Sequence, residues 1–231
     1  TIAVLLWATQ LHRAEKPQLG ASDEASTHTA EKAAVNKSPI TWLLVGFFGL
    51  QSLGFYAILG WLPNALIKAG LDPAAAGATL GLTTAVGIPF GLLLSSFIGR
   101  FNSLAWWAAG ASLLPALGFT LMSFDLSNPG TDLAARATFA GILIGMGQAS
   151  TFPLSLSLIG SRASTKTQTT LLSALSQGCG YLVAGVGTLL VGILANASGS
   201  FVLPFIMLAV LSFIQVFIGY LSGRPGHIPA A

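Results

Sequence analysis

Residues 40–66 read ITWLLVGFFGLQSLGFYAILGWLPNAL and carry no charged side chain. A helix needs about twenty mostly apolar residues to cross the hydrocarbon core of a bilayer, and strands are far shorter, so this run reads as a transmembrane helix. Outward from it the pattern recurs. Runs of membrane length fall at 76–99, 103–124, 135–160, 167–195 and 200–222, parted by short polar breaks. The expected fold is an all-α membrane protein, a six-transmembrane-helix bundle. Composition agrees: 53% of the 231 residues are hydrophobic and 7% are charged, against roughly 25% charged in an ordinary soluble domain. That excludes a soluble globular protein. The net charge of +3 comes from few groups and is no argument for nucleic acid. The single cysteine, Cys179, lies in an apolar run, so there is no disulfide framework and it reads as a small buried side chain.

Residues 1–12 read as the end of a transmembrane helix whose first part precedes the sequence, with no signal-peptide pattern. Residues 13–39 hold four basic and four acidic side chains among Ala, Ser and Thr, the composition of a solvated, flexible linker. Residues 223–231 form a tail. Arg100, Arg162, Lys166 and Arg224 lie in alternate breaks without an acid, whereas Asp72, Asp125 and Asp132 fall in the others beside Lys68 and Arg136. Basic loops stay inside, so linker and tail are expected to be cytoplasmic in a multi-pass protein of the bacterial inner membrane. Trp42, Trp61, Trp106 and Trp107 sit near span ends, as interfacial belt residues do. Gly77 and Gly81, Gly87 and Gly91, and Gly141 and Gly145 are each four apart, a spacing that lets another helix approach closely. Pro63, Pro89, Pro115 and Pro204 read as kinks.

The polar residues inside the spans suggest where a solute passes. In GMGQASTFPLS, 145–155, Gln148, Thr151 and Ser155 fall at i, i+3 and i+7, and Pro153 breaks the hydrogen-bond ladder beyond the glutamine. In the 40–66 run, Phe48, Gln51, Phe55 and Leu59 share a face beside Ser52 and Tyr56. An amide among aromatic rings suits a small planar polar solute, since the rings cover its faces and the amide both donates and accepts. Gln51, Phe55, Tyr56, Gln148, Thr151, Gln177 and Tyr181 are the candidate solute-binding residues, and Pro153 and Pro63 the candidate hinges. For the glutamines, interhelical hydrogen bonding is the alternative. Thr83, Thr84, Ser155, Ser173 and Ser176 read as bonded to their own helix backbone, and Gln215 as structural. Arg136 either attracts an anion or pairs with Asp132, four residues earlier.

Three segments carry a family resemblance: GFFGLQSLGFYAILGWLPNALIKAGLDPAAAG (46–77), GILIGMGQASTFPLSLSLIGSRA (141–163) and LSALSQGCGYLVAGVGTLLVGILANASGS (172–200). With the six-span pattern they resemble the C-terminal half of a major facilitator superfamily transporter, and within it the cyanate transporter family. The resemblance runs from residue 40 to the end and implies two inverted three-helix repeats, 40–124 and 135–222. The first helix of each repeat then lines the cavity, the second faces the other half and the third faces lipid. Gln51 and Gln148, about eleven and thirteen residues into their spans, lie at matching depths of roughly 16 to 20 Å. The loop SFIGRFNSL keeps Gly99 and Arg100 but lacks the acid usual in that superfamily's loop motif, and Arg100 reads as a positive-inside residue.

No acid, base or metal-ligand set lies at membrane depth, and His12, His28 and His227 fall at a span end, in the linker and in the tail. An enzyme is therefore not expected, nor a cofactor or metal. The expected function is secondary transport of a small polar or weakly charged solute, cyanate-like by resemblance, by alternating access. The alternatives are a structural or channel-like membrane subunit and an exporter of drug-like heterocycles. The expected partners are the solute, the lipid bilayer and an N-terminal six-helix half of the same chain, with no nucleic acid.

Overall fold

The apolar runs form helices that extend a few residues into the polar breaks. The computed structural model describes residues 21–101 and 103–229, so the expected helix end at 1–12 lies outside the described residues. Seven α-helices are described: α1 (Ala21–Lys37), α2 (Pro39–Lys68), α3 (Pro73–Phe97), α4 (Ala105–Ser127), α5 (Leu133–Arg162), α6 (Lys166–Ser198) and α7 (Val202–Gly223). The last six are each long and apolar enough to span a membrane. Asp72 caps α3, its carboxylate accepting from the N–H groups of Ala74 and Ala75, with Pro73 at the first helical position. The Thr165 hydroxyl caps α6 through the Gln168 N–H, and Gly199 ends that helix with φ +68, a left-handed conformation that glycine adopts without strain.

The six spans form one bundle, with α2–α4 and α5–α7 as the two sets of three that the resemblance implies as repeats. Packing is reciprocal. The second helix of each repeat lies against the first helix of the other, α3 on α5 and α6 on α2, while the third helices α4 and α7 pack on each other. Two buried apolar cores fill the ends. One gathers Leu62, Leu66, Phe119, Met122, Ile144 and Phe205, the other Leu44, Phe47, Phe48, Leu154, Leu158 and Leu172. The level of Gln51 and Gln148 is left between them.

Glycine seams hold the repeats together. A Cβ on Gly145 would overlap the backbone carbonyl of Thr83, and one on Gly141 the Thr83 hydroxyl, so Thr83 of α3 rides in the groove between these two glycines of α5. Gly87 and Gly91 answer from α3, where an added Cβ would stand 2.8 Å from the Gly145 carbonyl and 2.9 Å from the Ala149 carbonyl respectively. Pro153 has no N–H to offer the Ala149 carbonyl, and Gly91 is what meets it. The same device joins α4 to α5, where Pro115 cannot bond the Ala111 carbonyl and a Cβ on Gly147 would lie 2.8 Å from that oxygen. Gly77 and Gly81, by contrast, meet nothing within 4 Å, so that pair does no packing among the described residues.

Three expectations change on sight of the structure. Residues 21–37 of the expected linker form a helix, as their Ala, Glu and Lys content allows, and its end is docked: Val35 is buried, and its carbonyl accepts from the Thr41 hydroxyl at 2.7 Å. Trp61 is not a free belt residue, because its indole N–H donates to the Thr188 carbonyl at 3.0 Å and its ring covers Gly192. Helix α4 runs on to Ser127, bringing Asp125 into its last turn and into a buried position.

Arg162 is likewise more than a positive-inside residue. It is buried at the end of α5 and donates to the carbonyls of Ser222 (3.0 and 3.1 Å) and Gly226 (3.3 Å), while its own carbonyl accepts from the Ile228 N–H at 2.9 Å. The tail is thereby strapped across the α5–α6 connection, where the Thr165 hydroxyl also donates to Glu31 of α1 at 2.7 Å. Arg162→Gln removes the charge from these bonds, and the expected loss is about 2 kcal/mol. A thermal unfolding series in detergent checks it, with Lys166→Gln as a neighbour that should stay near wild type.

Candidate solute-binding site

An open-sided cavity of about 730 Å³ is walled by α2, α3 and α5, with Tyr181 contributed by α6. That is within the range of small-molecule sites, roughly 300–1,000 Å³. Its lining includes Gln51, Phe55, Tyr56, Gln148, Pro153 and Tyr181 of the candidate residues, and no side chain of formal charge. The glycine seam explains why the wall is continuous at α3 and α5: the two helices approach too closely to leave a gap.

The polar groups of the wall differ in how they are satisfied. Thr83 donates to the Thr79 carbonyl at 2.8 Å, Thr84 to Leu80 and Gly81, and Ser95 to Gly91, so these hydroxyls are occupied by their own helix. Gln51 is buried, and its amide donates to the Ser52 hydroxyl at 3.2 Å. Gln148 stands apart. It is 4% exposed, and neither its amide nitrogen nor its amide oxygen has a hydrogen-bond partner. An unpaired buried polar group costs about 1–3 kcal/mol, so the amide is poised to gain from any partner that reaches it.

A file of aromatic rings runs beside this amide. Phe55 meets Tyr56 edge-on at 5.5 Å between centroids, Tyr56 meets Tyr181 at 6.3 Å, Tyr181 meets Phe48 edge-on at 5.2 Å, and Phe48 meets Phe152 at 6.2 Å. Phe48 is fully buried and anchors the file, while Phe55, Tyr56, Phe152 and Tyr181 are exposed and offer ring surface to the open space.

Thr151 and Gln177 lie elsewhere. Thr151 is fully buried, with its hydroxyl donating to the Gln148 carbonyl at 3.1 Å, and Gln177 is half-buried one turn before Tyr181, outside the lining. Pro153 is in the wall, with α5 continuing as helix through it, whereas Pro63 sits near the end of α2 and away from the cavity. Sequence reasoning passed over Phe152, although it is four residues beyond Gln148 and so on the same helix face. It also passed over Gly54, whose part is visible only once α2 and α5 are side by side. Gln215 is structural, its amide donating to the Ser112 hydroxyl of α4 at 3.3 Å.

The family model of the Major Facilitator Superfamily matches residues 1–188. The chain belongs to this superfamily. Among the superfamily's curated members it is 32% identical over 227 residues to the 2-nitroimidazole transporter of Escherichia coli, covering 98% of this chain and 54% of that protein. It is 30% identical over 228 residues to the uncharacterized transporter YycB of Bacillus subtilis, covering 98% of this chain and 53% of the relative. With the cyanate transport protein CynX of Escherichia coli it shares 27% identity over 188 residues, 79% of this chain and 46% of CynX. The chain thus spans about half the length of the curated relatives it matches. Membership makes the six apolar helices those of a multi-pass membrane protein.

Proposed function

We propose that this chain supplies half of the translocation path for a small, flat, hydrogen-bonding solute of little or no charge, moved by alternating access. The observation that carries the reading is the unpaired Gln148 amide in the wall of a charge-free, aromatic-sided cavity. Such a wall holds a planar solute by its faces and leaves the amide to read its edge. It offers an anion no fixed positive charge, so a solute like 2-nitroimidazole suits this half better than cyanate does, and an exporter of heterocycles is the corresponding physiological role. The names of two relatives, a 2-nitroimidazole transporter and a cyanate transport protein, support small planar solutes in general. Gln51, Phe55, Tyr56 and Tyr181 are assigned to the same site, and Pro153 to bending of α5.

The remaining contacts belong to the rest of the protein. Helices α3 and α6 expose Ile88 and Leu92, which line the open side of the cavity, and Leu182 and Leu189, each more than 60% exposed, and a second six-helix half of the same chain is assigned to that face. Linker and tail are assigned to the cytoplasmic side of the inner membrane, on the alternation of basic breaks between the spans.

The test is uptake by the full-length protein in proteoliposomes, with 2-nitroimidazole, cyanate and an uncharged imidazole as probes, with and without a pH gradient. Gln148→Ala is expected to lower saturable uptake (Vmax/KM) about tenfold, the equivalent of about 1.4 kcal/mol, and Gln51→Ala less, because that amide already has a partner. Uptake unchanged in both well-folded variants would return the glutamines to helix packing and leave a structural or channel-like subunit as the better reading.

A further inference from the structure

Gln148 has a seat, and the seat is a missing side chain. A Cβ on Gly54 of α2 would overlap the Gln148 amide nitrogen and stand 3.4 Å from the amide carbon and 3.5 Å from Cε2 of Phe119. The amide therefore occupies the notch left by Gly54, which the fully buried Phe119 ring also borders. Nothing in the notch bonds it, since both polar atoms are without partners. In this position the two polar atoms of the amide are buried, although Gln148 lines the cavity.

The backbone that carries it is held by close neighbours. Gly145 is pressed against the Thr83 backbone of α3, Gly147 against Pro115 and the Ala111 carbonyl of α4, and Ala149 against Gly87 and Gly91 of α3. The backbone of α5 is thus held by neighbours on either side of residue 148 in sequence. Any approach of the amide to a solute must come from the side chain alone, by rotation about its own torsions out of the notch and into the cavity.

We propose that Gly54 is a positioning residue for Gln148: its notch lets the amide alternate between a retracted seat, where it bonds nothing, and an extended position, where it hydrogen-bonds the solute. The inference rests on Gln148 being a solute-binding residue. The extended amide pairs with solute or water and the retracted one does not, so binding draws it out, while retraction breaks the bond and lets the solute go. A ligand shifts such an equilibrium only by its differential contact with the two positions, and here that contact is the hydrogen bond itself.

Kinetics of the full-length protein in proteoliposomes test this, with labelled 2-nitroimidazole as probe. Gly54→Ala fills the notch and holds the amide extended, so KM is expected to fall at least threefold while Vmax falls by a similar factor. Phe119→Leu enlarges the notch without overfilling it and is expected to raise KM, the opposite sign, which keeps the test alive should Gly54→Ala not fold. Both effects are expected to vanish in a Gln148→Ala background. An unchanged KM in folded Gly54→Ala, or the same shift with and without Gln148, would overturn the positioning role, since a packing effect needs no amide. If Gln148→Ala itself leaves uptake intact, the solute-site reading fails first, and that outcome is distinct from a Gln148-dependent protein indifferent to residue 54.

Discussion

Gly145→Ala is expected to destabilise the bundle by about 3 kcal/mol, at the upper end of overpacking effects, and to abolish uptake in whatever fraction folds. The added methyl would overlap the Thr83 carbonyl oxygen and come within 2.8 Å of its carbon. Both are backbone, fixed in the middle of α3, so no rotamer change relieves the contact and the helices must part. They part along the wall of the cavity, where Gly87, Gly91 and Ala149 complete the same seam. The neighbouring side of the seam is equally unyielding, because Gly141 rests on the Thr83 hydroxyl, which donates to the Thr79 carbonyl at 2.8 Å. Gly110→Ala is the control: it lies on α4, where a Cβ would meet nothing within 4 Å, and it should stay within about 0.5 kcal/mol of wild type. Unfolding midpoints of the two purified variants decide the matter. Equal stability would mean that α3 and α5 are less closely packed than these distances state.

That contrast also shows what can be read in advance. Hydropathy marks the spans because lipid demands apolar length, and residue count along each span puts Gln51 and Gln148 at one level. Glycine spacing does not say which pairs are used: Gly77 and Gly81 have the same interval as Gly141 and Gly145, yet only the second pair touches a helix among the described residues. The interval specifies a face, and what stands opposite is a tertiary fact.

The polar stripe on α5 misleads for a related reason. Gln148, Thr151 and Ser155 do share a face, but that face is turned into the bundle, and all three are buried. Thr151 and Ser155 donate to carbonyls of their own helix, at 3.1 and 2.7 Å. The cavity face carries Gly145, Ala149, Phe152 and Leu156, roughly a quarter-turn away at 3.6 residues per turn. In a membrane polar side chains gain most where another polar group or a backbone carbonyl awaits them, and a wall for a flat, weakly polar solute wants small and aromatic groups. Gln148 lies at the edge between the two faces, which is why it alone of the three borders the cavity.

Arg136→Leu is the second large effect, with an expected loss of about 3 kcal/mol. The guanidinium joins three parts of the chain: Nη1 lies 3.2 Å from the Asp125 carboxylate in the last turn of α4, Nη2 donates to the Asn128 carbonyl at 2.9 Å, and Nε lies 3.3 Å from Asp132 at the start of α5. The Asp125 side chain is 6% exposed, so removing Arg136 strands a carboxylate with no counter-charge. The 66% exposed Asp132 is hydrated either way and adds little. Asp125→Asn in the Arg136→Leu background removes the stranded charge and is expected to recover most of the loss, a coupling of about 2 kcal/mol in the double-mutant cycle. The α4–α5 connection is where the first repeat passes into the second, so the pair fixes the joint between them. The other use of Arg136, attraction of an anionic solute, predicts a different pattern: stability nearly unchanged in Arg136→Leu, cyanate uptake reduced and 2-nitroimidazole uptake intact. Measuring unfolding and the two uptakes on one preparation separates these outcomes, and the three contacts made by the guanidinium favour the joint.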